Sequence, residues 1–121
     1  IVPSVPDHFV TFCMGRVFIF FLIDMGVKVY EYKRGFIHAK TFVSDDRFAT
    51  IGSVNLDYRS LFHHFECGAF LYEKPCIEEI KNDFSEMIEN DCKEFTQESY
   101  KLFPLVNRMI GRIFKVFAPL M

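Results

Sequence analysis

Four polar side chains between positions 38 and 55 have the types and the spacing needed to bind and attack a phosphate ester. His38 and Lys40 are two residues apart in a stretch that predicts a β-strand, so their side chains project from the same face. Ser53 and Asn55 repeat this spacing just after the next predicted strand. A lysine and neutral donors suit the non-bridging oxygens, and an imidazole can react at phosphorus. We therefore predict a phosphate-ester site at this hairpin.

Two carboxylates, Glu66 and Asp45, lie near these four residues in the sequence, and we predict different roles for them. Glu66 lies between Phe65 and Cys67 in an apolar predicted strand, where a buried carboxylate without a partner would cost several kcal/mol. An imidazole N–H would satisfy Glu66 and hold the ring in one tautomer. Asp45 lies an odd number of residues beyond Lys40, in the predicted turn, so we expect ion pairing there and no contact with substrate.

Each of the five residues also has a plain structural interpretation. His38 and Lys40 could be ordinary strand residues, and Glu66 could face water at a sheet edge. Ser53 and Asn55 could serve the turn and the cap before a helix that begins near position 56. No metal site is predicted, because the adjacent histidines 63 and 64 point opposite ways in an extended segment and no HxxxH pattern exists.

The composition predicts one globular domain spanning residues 1–121. Half of the 121 residues are hydrophobic and a quarter are charged, which excludes intrinsic disorder. The net charge of −2 argues against a generic nucleic-acid-coating protein. Four cysteines without a CxxC pair predict reduced thiols in the cytosol, and the longest apolar run, Val17 to Ile23, is too short to cross a bilayer. The first residue is Ile1, so we expect a piece of a longer protein.

The order of predicted elements is that of an α/β/α sandwich, with helices flanking a mixed sheet. A short strand opens the chain, and a helix apolar on nearly all sides, capped by Asp7 and ended by Gly26, is expected to be buried on several sides. The later elements are predicted in this order: a strand over 27–33, a hairpin of strands 39–44 and 48–53, a strand over 65–72, a helix over 75–92 and a last helix over 104–117.

The last 23 residues carry four basic residues and no acidic one. Arg108, Arg112 and Lys115 follow helical spacing, so about residues 100–121 are predicted as a basic amphipathic C-terminal segment. Such a helix can lie in the interface of an anionic bilayer. It can equally close the core and leave its charges in water.

Two stretches carry a family resemblance. The residues from His38 to Asp45 read HAKTFVSD, and those from Gly52 to Asn55 read GSVN. Together they resemble the HxKxxxxD and GSxN signature of the phospholipase D superfamily. Residues 52–61, with Glu66 beyond them, and residues 112–120 are similar to the second catalytic half of bacterial cardiolipin synthases. The resemblance covers nearly the whole chain.

The resemblance implies specific roles. His38 would be one of two active-site histidines, either the nucleophile that forms a phosphohistidine or the acid that protonates the leaving alkoxide. Glu66 would orient a histidine, and no cofactor or metal is implied because Lys40 and its counterpart supply the positive charge. The catalytic residues implied are His38, Lys40, Asp45 and Glu66, and the phosphate-binding residues are Lys40, Ser53 and Asn55.

The implied reaction is transfer of a phosphatidyl group from one phosphatidylglycerol to another, releasing glycerol. The chain contains a single HxK, so the second half-site would come from a longer chain or from an identical subunit. The expected partners are phosphatidylglycerol or a related anionic phospholipid and a membrane surface, with no nucleic acid. The expected location is the cytoplasmic face of the cell membrane. The alternatives are a homodimeric single-motif phosphodiesterase or nuclease, and an inert binding or membrane-docking module.

Overall fold

A computed structural model describes residues 1–120, with side chains described through residue 118. The strands are β1 (Val2–Pro3), β2 (Val29–Tyr32), β3 (Lys40–Ser44), β4 (Phe48–Gly52), β5 (Gly68–Tyr72) and β6 (Cys92–Phe95). The helices are α1 (Phe9–Asp24), α2 (Tyr58–Phe62), α3 (Cys76–Asp91), α4 (Gln97–Leu102) and α5 (Leu105–Phe114), followed by a 3-10 helix (Lys115–Leu120).

The strands form two three-stranded sheets. In the first, β1 pairs parallel with β2 and β2 pairs antiparallel with β6, so this sheet is mixed. In the second, β3, β4 and β5 pair antiparallel in sequence order. Helices pack on these sheets, and the predicted α/β class with a mixed sheet flanked by helices is confirmed.

The β3–β4 hairpin forms where the sequence predicts it, and it sets the register of the site. Lys40 lies opposite Gly52, and Ser44 lies opposite Phe48 at the turn. Asp45 and Asp46 adopt positive φ angles of 53° and 55°, a conformation that aspartate tolerates better than most residues. The turn is closed by the Arg47 backbone N–H, which donates to the Ser44 carbonyl over 3.1 Å.

The core lies between α1 and the first sheet. Ile19 of α1 packs with Val29, Phe95 and Tyr100 in one buried cluster. On another side of α1, helix α5 comes so close at Gly111 that a Cβ there would lie 2.8 Å from the Cys13 carbonyl carbon. Only glycine therefore allows this helix contact without a backbone shift.

Two predictions about helix ends need correction. Helix α1 is buried on more than one side, as expected, by the first sheet and by α5, although Phe9, Phe18 and Phe21 are exposed. Its N-cap is His8 rather than Asp7, without a side-chain capping bond, although the helix does end before Gly26. The last helix ends at Phe114 instead of continuing to residue 117, since the chain tightens into the 3-10 helix.

The structure also contains two elements that the sequence analysis did not predict. Strand β6 pairs with β2 along its whole length, and α4 follows directly. The start of α4 is a capping box, in which the Thr96 hydroxyl accepts from the Ser99 backbone N–H and the Ser99 side chain accepts from the Thr96 backbone N–H. Thr96 at the N-cap was a local signal in the sequence, although Ser99 stands where a capping box usually has Glu or Gln.

Candidate active site

One cavity of about 500 Å³ opens where β3 begins and where β4 ends. Four of its lining residues are the polar residues predicted at the hairpin, and a fifth is Glu66. Others come from α2 and from the segment that joins α2 to β5. The lining residues are His38, Lys40, Gly52, Ser53, Asn55, Asp57, Arg59, Ser60, His64 and Glu66.

The imidazole and the ammonium lie at the start of β3. Only Lys40 belongs to the strand, whereas His38 lies in the preceding irregular segment, just outside the strand predicted over 39–44, so strand alternation does not by itself place both side chains on one face. The His38 ring stacks on Phe36, with centroids 5.7 Å apart and planes inclined by 23°. The Lys40 Nζ donates to the His38 carbonyl oxygen over 2.7 Å, which holds the cation close to the histidine.

Ser53 and Asn55 follow β4, and the end of this strand is held tightly against β5. A Cβ at Gly52 would lie 2.7 Å from the Gly68 Cα, so a side chain at position 52 would force the two strands apart. The Ser53 backbone N–H donates to the Cys67 carbonyl over 3.0 Å, and the Cys67 N–H donates to the Ser53 Oγ over 3.1 Å. These bonds fix the serine hydroxyl at the cavity wall.

Glu66 lies just before β5, outside the strand in which it was predicted, and its side chain is 15% exposed. Its carboxylate accepts a hydrogen bond from the Ser53 hydroxyl. Hydrogen bonds from Ser53 and then Ser60 lower the pKa of Glu66, and the nearby His64 and Lys40 add to this shift. The serine hydroxyl is therefore its main partner within the described residues, and the imidazole nearest to it belongs to His64, with Nδ1 3.7 Å from Oε1.

The first motif also ends in Asp45, which lies in the β3–β4 turn and is absent from the described lining of the cavity. Its carboxylate accepts from the Ser44 hydroxyl over 3.0 Å. The ion pair expected for Asp45 is made instead by its neighbour Asp46, whose carboxylate lies 2.7 Å from the Lys81 Nζ. Asp45 thus contributes to the turn.

Sequence reasoning missed the contribution of α2 to this cavity. Asp57 caps α2 by accepting from the Ser60 backbone N–H over 2.7 Å. Arg59 Nε donates to His64 Nε2 over 2.6 Å. His64 precedes Glu66 by two residues, and this spacing could have indicated a shared face if the histidine had been considered as more than a metal ligand.

The assembled groups suit a phosphate ester. Lys40 supplies a fixed cation, Ser53 and Asn55 supply neutral hydrogen-bonding groups, and His38 supplies a nucleophilic nitrogen within one cavity. An α/β scaffold therefore brings the chemical groups that a phosphate ester requires into one cavity at the end of an antiparallel hairpin.

Comparison with known proteins identifies the family. Residues 7–88 match the model of the family described as cardiolipin synthase, PLD-like domain, and the chain belongs to this family. The resemblance predicted from the two motifs is confirmed.

Individual relatives match over nearly the whole chain. A Streptococcus mutans protein described as uncharacterized is 40% identical over 100% of this chain and 26% of its own length. Cardiolipin synthase 2 of Bacillus anthracis is 34% identical over 100% of the chain and 23% of its own length. Cardiolipin synthase of Geobacillus sp. is 35% identical over 98% of the chain and 24% of its own length. The chain thus spans about a quarter of the length of these relatives. No solved structure matches it.

Proposed function

We propose that this chain supplies one of two phosphate-handling halves of a phosphatidyltransferase that makes cardiolipin from two molecules of phosphatidylglycerol. The observation that supports the proposal is the convergence of His38, Lys40, Ser53 and Asn55 on one cavity, with Glu66 beside them. Family membership supports the choice of a phospholipid as the phosphate ester.

In the first half-reaction, an imidazole nitrogen attacks the phosphorus of the donor lipid. The N–P bond forms, the bond from phosphorus to the glycerol headgroup oxygen breaks, and a second imidazolium gives its proton to the leaving oxygen. Lys40 and Asn55 hold the non-bridging oxygens, and Ser53 supports them from the end of β4. His38 is either the attacking nitrogen or the proton donor.

In the second half-reaction, a hydroxyl of the accepting phosphatidylglycerol attacks the same phosphorus. Its proton returns to the imidazole that acted as acid, the new P–O bond forms, and the N–P bond breaks. One glycerol leaves for each cardiolipin formed. Because the motif occurs once in these residues, the second histidine belongs to another half-site, in the same longer polypeptide or in an identical subunit.

The proposed enzyme works at the cytoplasmic face of the membrane, with this part of it bound peripherally. No helix of the described residues is long and apolar enough to span a bilayer. On α5, however, the outward face is apolar, since Leu105, Val106, Met109 and Ile113 are each more than half exposed. Of the predicted basic stripe, Arg108 turns inward over the Tyr100 ring, 5.6 Å from its centroid. The proposed membrane contact is therefore the apolar side of α5.

The proposal is tested by replacing His38 in the protein expressed from its complete gene. His38→Ala should abolish formation of cardiolipin from radiolabelled phosphatidylglycerol, because one of the two required imidazoles is lost. His63→Ala is the matched control, since this exposed histidine lies outside the described cavity lining and should keep its activity. Undiminished turnover in His38→Ala would reject the assignment.

A further inference from the structure

A second cation, Arg59, faces the same cavity from α2. Its Nε donates to the His64 ring over 2.6 Å, which fixes the plane of the guanidinium. Among the hydrogen bonds and ion pairs of the described residues, none involves its two terminal nitrogens. Arg59 is exposed, so its charge is not needed to neutralise a buried group. It therefore presents a planar pair of donors to whatever occupies the cavity.

The two cations occupy different ends of a continuous series of side chains. The Ser53 hydroxyl donates to Glu66, the Glu66 carboxylate lies 3.7 Å from His64, and His64 accepts from Arg59. Lys40 lies at the Ser53 end, because it pairs across the hairpin with Gly52. Glu66 and His64 thus lie between the cation beside His38 and the cation on α2.

The two carboxylates of the cavity already have partners within the chain. Asp57 accepts from the Ser60 backbone N–H and Glu66 accepts from the Ser53 hydroxyl. Neither forms an ion pair with Arg59 among the described residues. The guanidinium therefore remains available for a ligand anion, and its planar donor pair matches the oxygens of a phosphate diester.

Transfer between two phosphatidylglycerol molecules requires two phosphates in the site at once. One reacts, while the other remains intact on the accepting lipid, separated from the attacking hydroxyl by the glycerol headgroup. We propose that Arg59 binds the intact phosphate of the accepting lipid and that His64 positions the guanidinium. This inference rests on the proposed function, in which Lys40 and Asn55 hold the reacting phosphate.

Lys40 and Arg59 would therefore act in different steps of the reaction, and kinetic measurements can separate these steps. Donor cleavage releases glycerol and, within this half-site, uses only the Lys40 end of the cavity. The phosphatidyl group then passes either to the lipid acceptor, giving cardiolipin, or to water, giving phosphatidic acid. Water carries no phosphate, so only the first outcome uses Arg59.

The test is the ratio of cardiolipin to phosphatidic acid formed by the protein expressed from its complete gene, with phosphatidylglycerol in mixed micelles. Arg59→Gln should lower this ratio roughly 10- to 100-fold, because loss of one hydrogen bond to a charged group weakens binding by about this factor. Glycerol release should change little. Arg59→Lys should recover part of the ratio, and His64→Leu should lower it less than Arg59→Gln. Arg47→Gln is the control, because this exposed arginine pairs with Glu73 outside the cavity lining.

An unchanged product ratio in Arg59→Gln, or equal losses of glycerol release and cardiolipin, would overturn the role of Arg59. If the unsubstituted protein releases no glycerol, the proposed function fails instead. The second phosphate site is then judged by NMR titration with glycerol 1,3-bisphosphate against glycerol 1-phosphate. The bisphosphate should bind at least tenfold more tightly, and Arg59→Gln should remove that advantage; an advantage that persists would refute the site.

Discussion

Glu31 of β2 contacts one buried and one exposed cation, and the two should differ sharply in their importance for stability. The Arg16 Nη2 lies 2.5 Å from the Glu31 carboxylate, and the Lys33 Nζ lies 2.6 Å from it. The Arg16 side chain is 4% exposed and that of Lys33 is 45% exposed. Arg16 also lies against the rings of Phe12 and Phe95, 4.5 Å and 4.8 Å from their centroids. Burial lowers the pKa of Arg16, and Glu31 opposes that shift.

Removing the buried cation should therefore cost far more than removing the exposed one. Loss of one partner of a buried ion pair costs about 3–5 kcal/mol. Because Lys33 remains beside Glu31 in Arg16→Met, we expect the lower end of this range, about 3 kcal/mol. Lys33→Met removes a solvated partner at nearly the same distance and should cost about 0–1 kcal/mol. The carboxylate is the same in both variants, so burial of the cation is the main difference.

The assay is urea denaturation of the purified chain, from which the free energy of unfolding is extrapolated for each variant. A third variant, Arg16→Met with Glu31→Met, removes both buried charges and should recover part of the loss, since an apolar pair avoids the unpaired carboxylate. Two results would refute the reasoning. One is equal destabilisation by Arg16→Met and Lys33→Met, and the other is a double variant that recovers none of the stability lost in Arg16→Met.

Two further predictions concern the site and the membrane. Ser53→Ala removes the hydrogen bond that contributes most to the lowered pKa of Glu66, so the carboxylate should protonate at higher pH and the acid limb of the pH–rate profile should move upward. Ser53→Thr keeps the hydroxyl and should leave that limb in place; identical profiles for the alanine variant and the unsubstituted protein would contradict the assignment. Ile113→Asp places a charge on the outward face of α5 and should weaken sedimentation with phosphatidylglycerol vesicles roughly tenfold or more. Phe70→Asp, at an exposed position on β5, should sediment normally, and equal binding by both variants would remove α5 as the membrane contact.

Much of the local structure could be predicted from the sequence because its signals are local. Alternating apolar residues around the Asp45–Asp46 turn predict the β3–β4 hairpin, and the spacing of apolar residues predicts α3. Strand β6 was missed because its four residues, CKEF, show little pattern. They form a strand because their backbone groups pair with β2, some sixty residues earlier in the chain. No local feature of the sequence indicates this pairing between distant segments.

The candidate site, too, could be predicted from the sequence only in part. Residue types and two-residue spacing indicate His38, Lys40, Ser53 and Asn55, and the two motifs indicate the family. The strand predicted over 39–44 already leaves His38 outside β3, but its exact first residue, Lys40, depends on where the hydrogen-bonded partner strand ends, opposite Gly52.

By itself, then, the sequence indicated most of the elements, the chemical groups and the family of this protein. Only the tertiary structure decided which groups share a cavity and how each is paired. It paired the Glu66 carboxylate with the Ser53 hydroxyl and added Arg59 and His64 to the cavity from around α2. The physical reason is that spacing along a chain sets the face from which a side chain projects. Contacts between distant segments depend on strand register and helix packing, which form only when the whole chain folds.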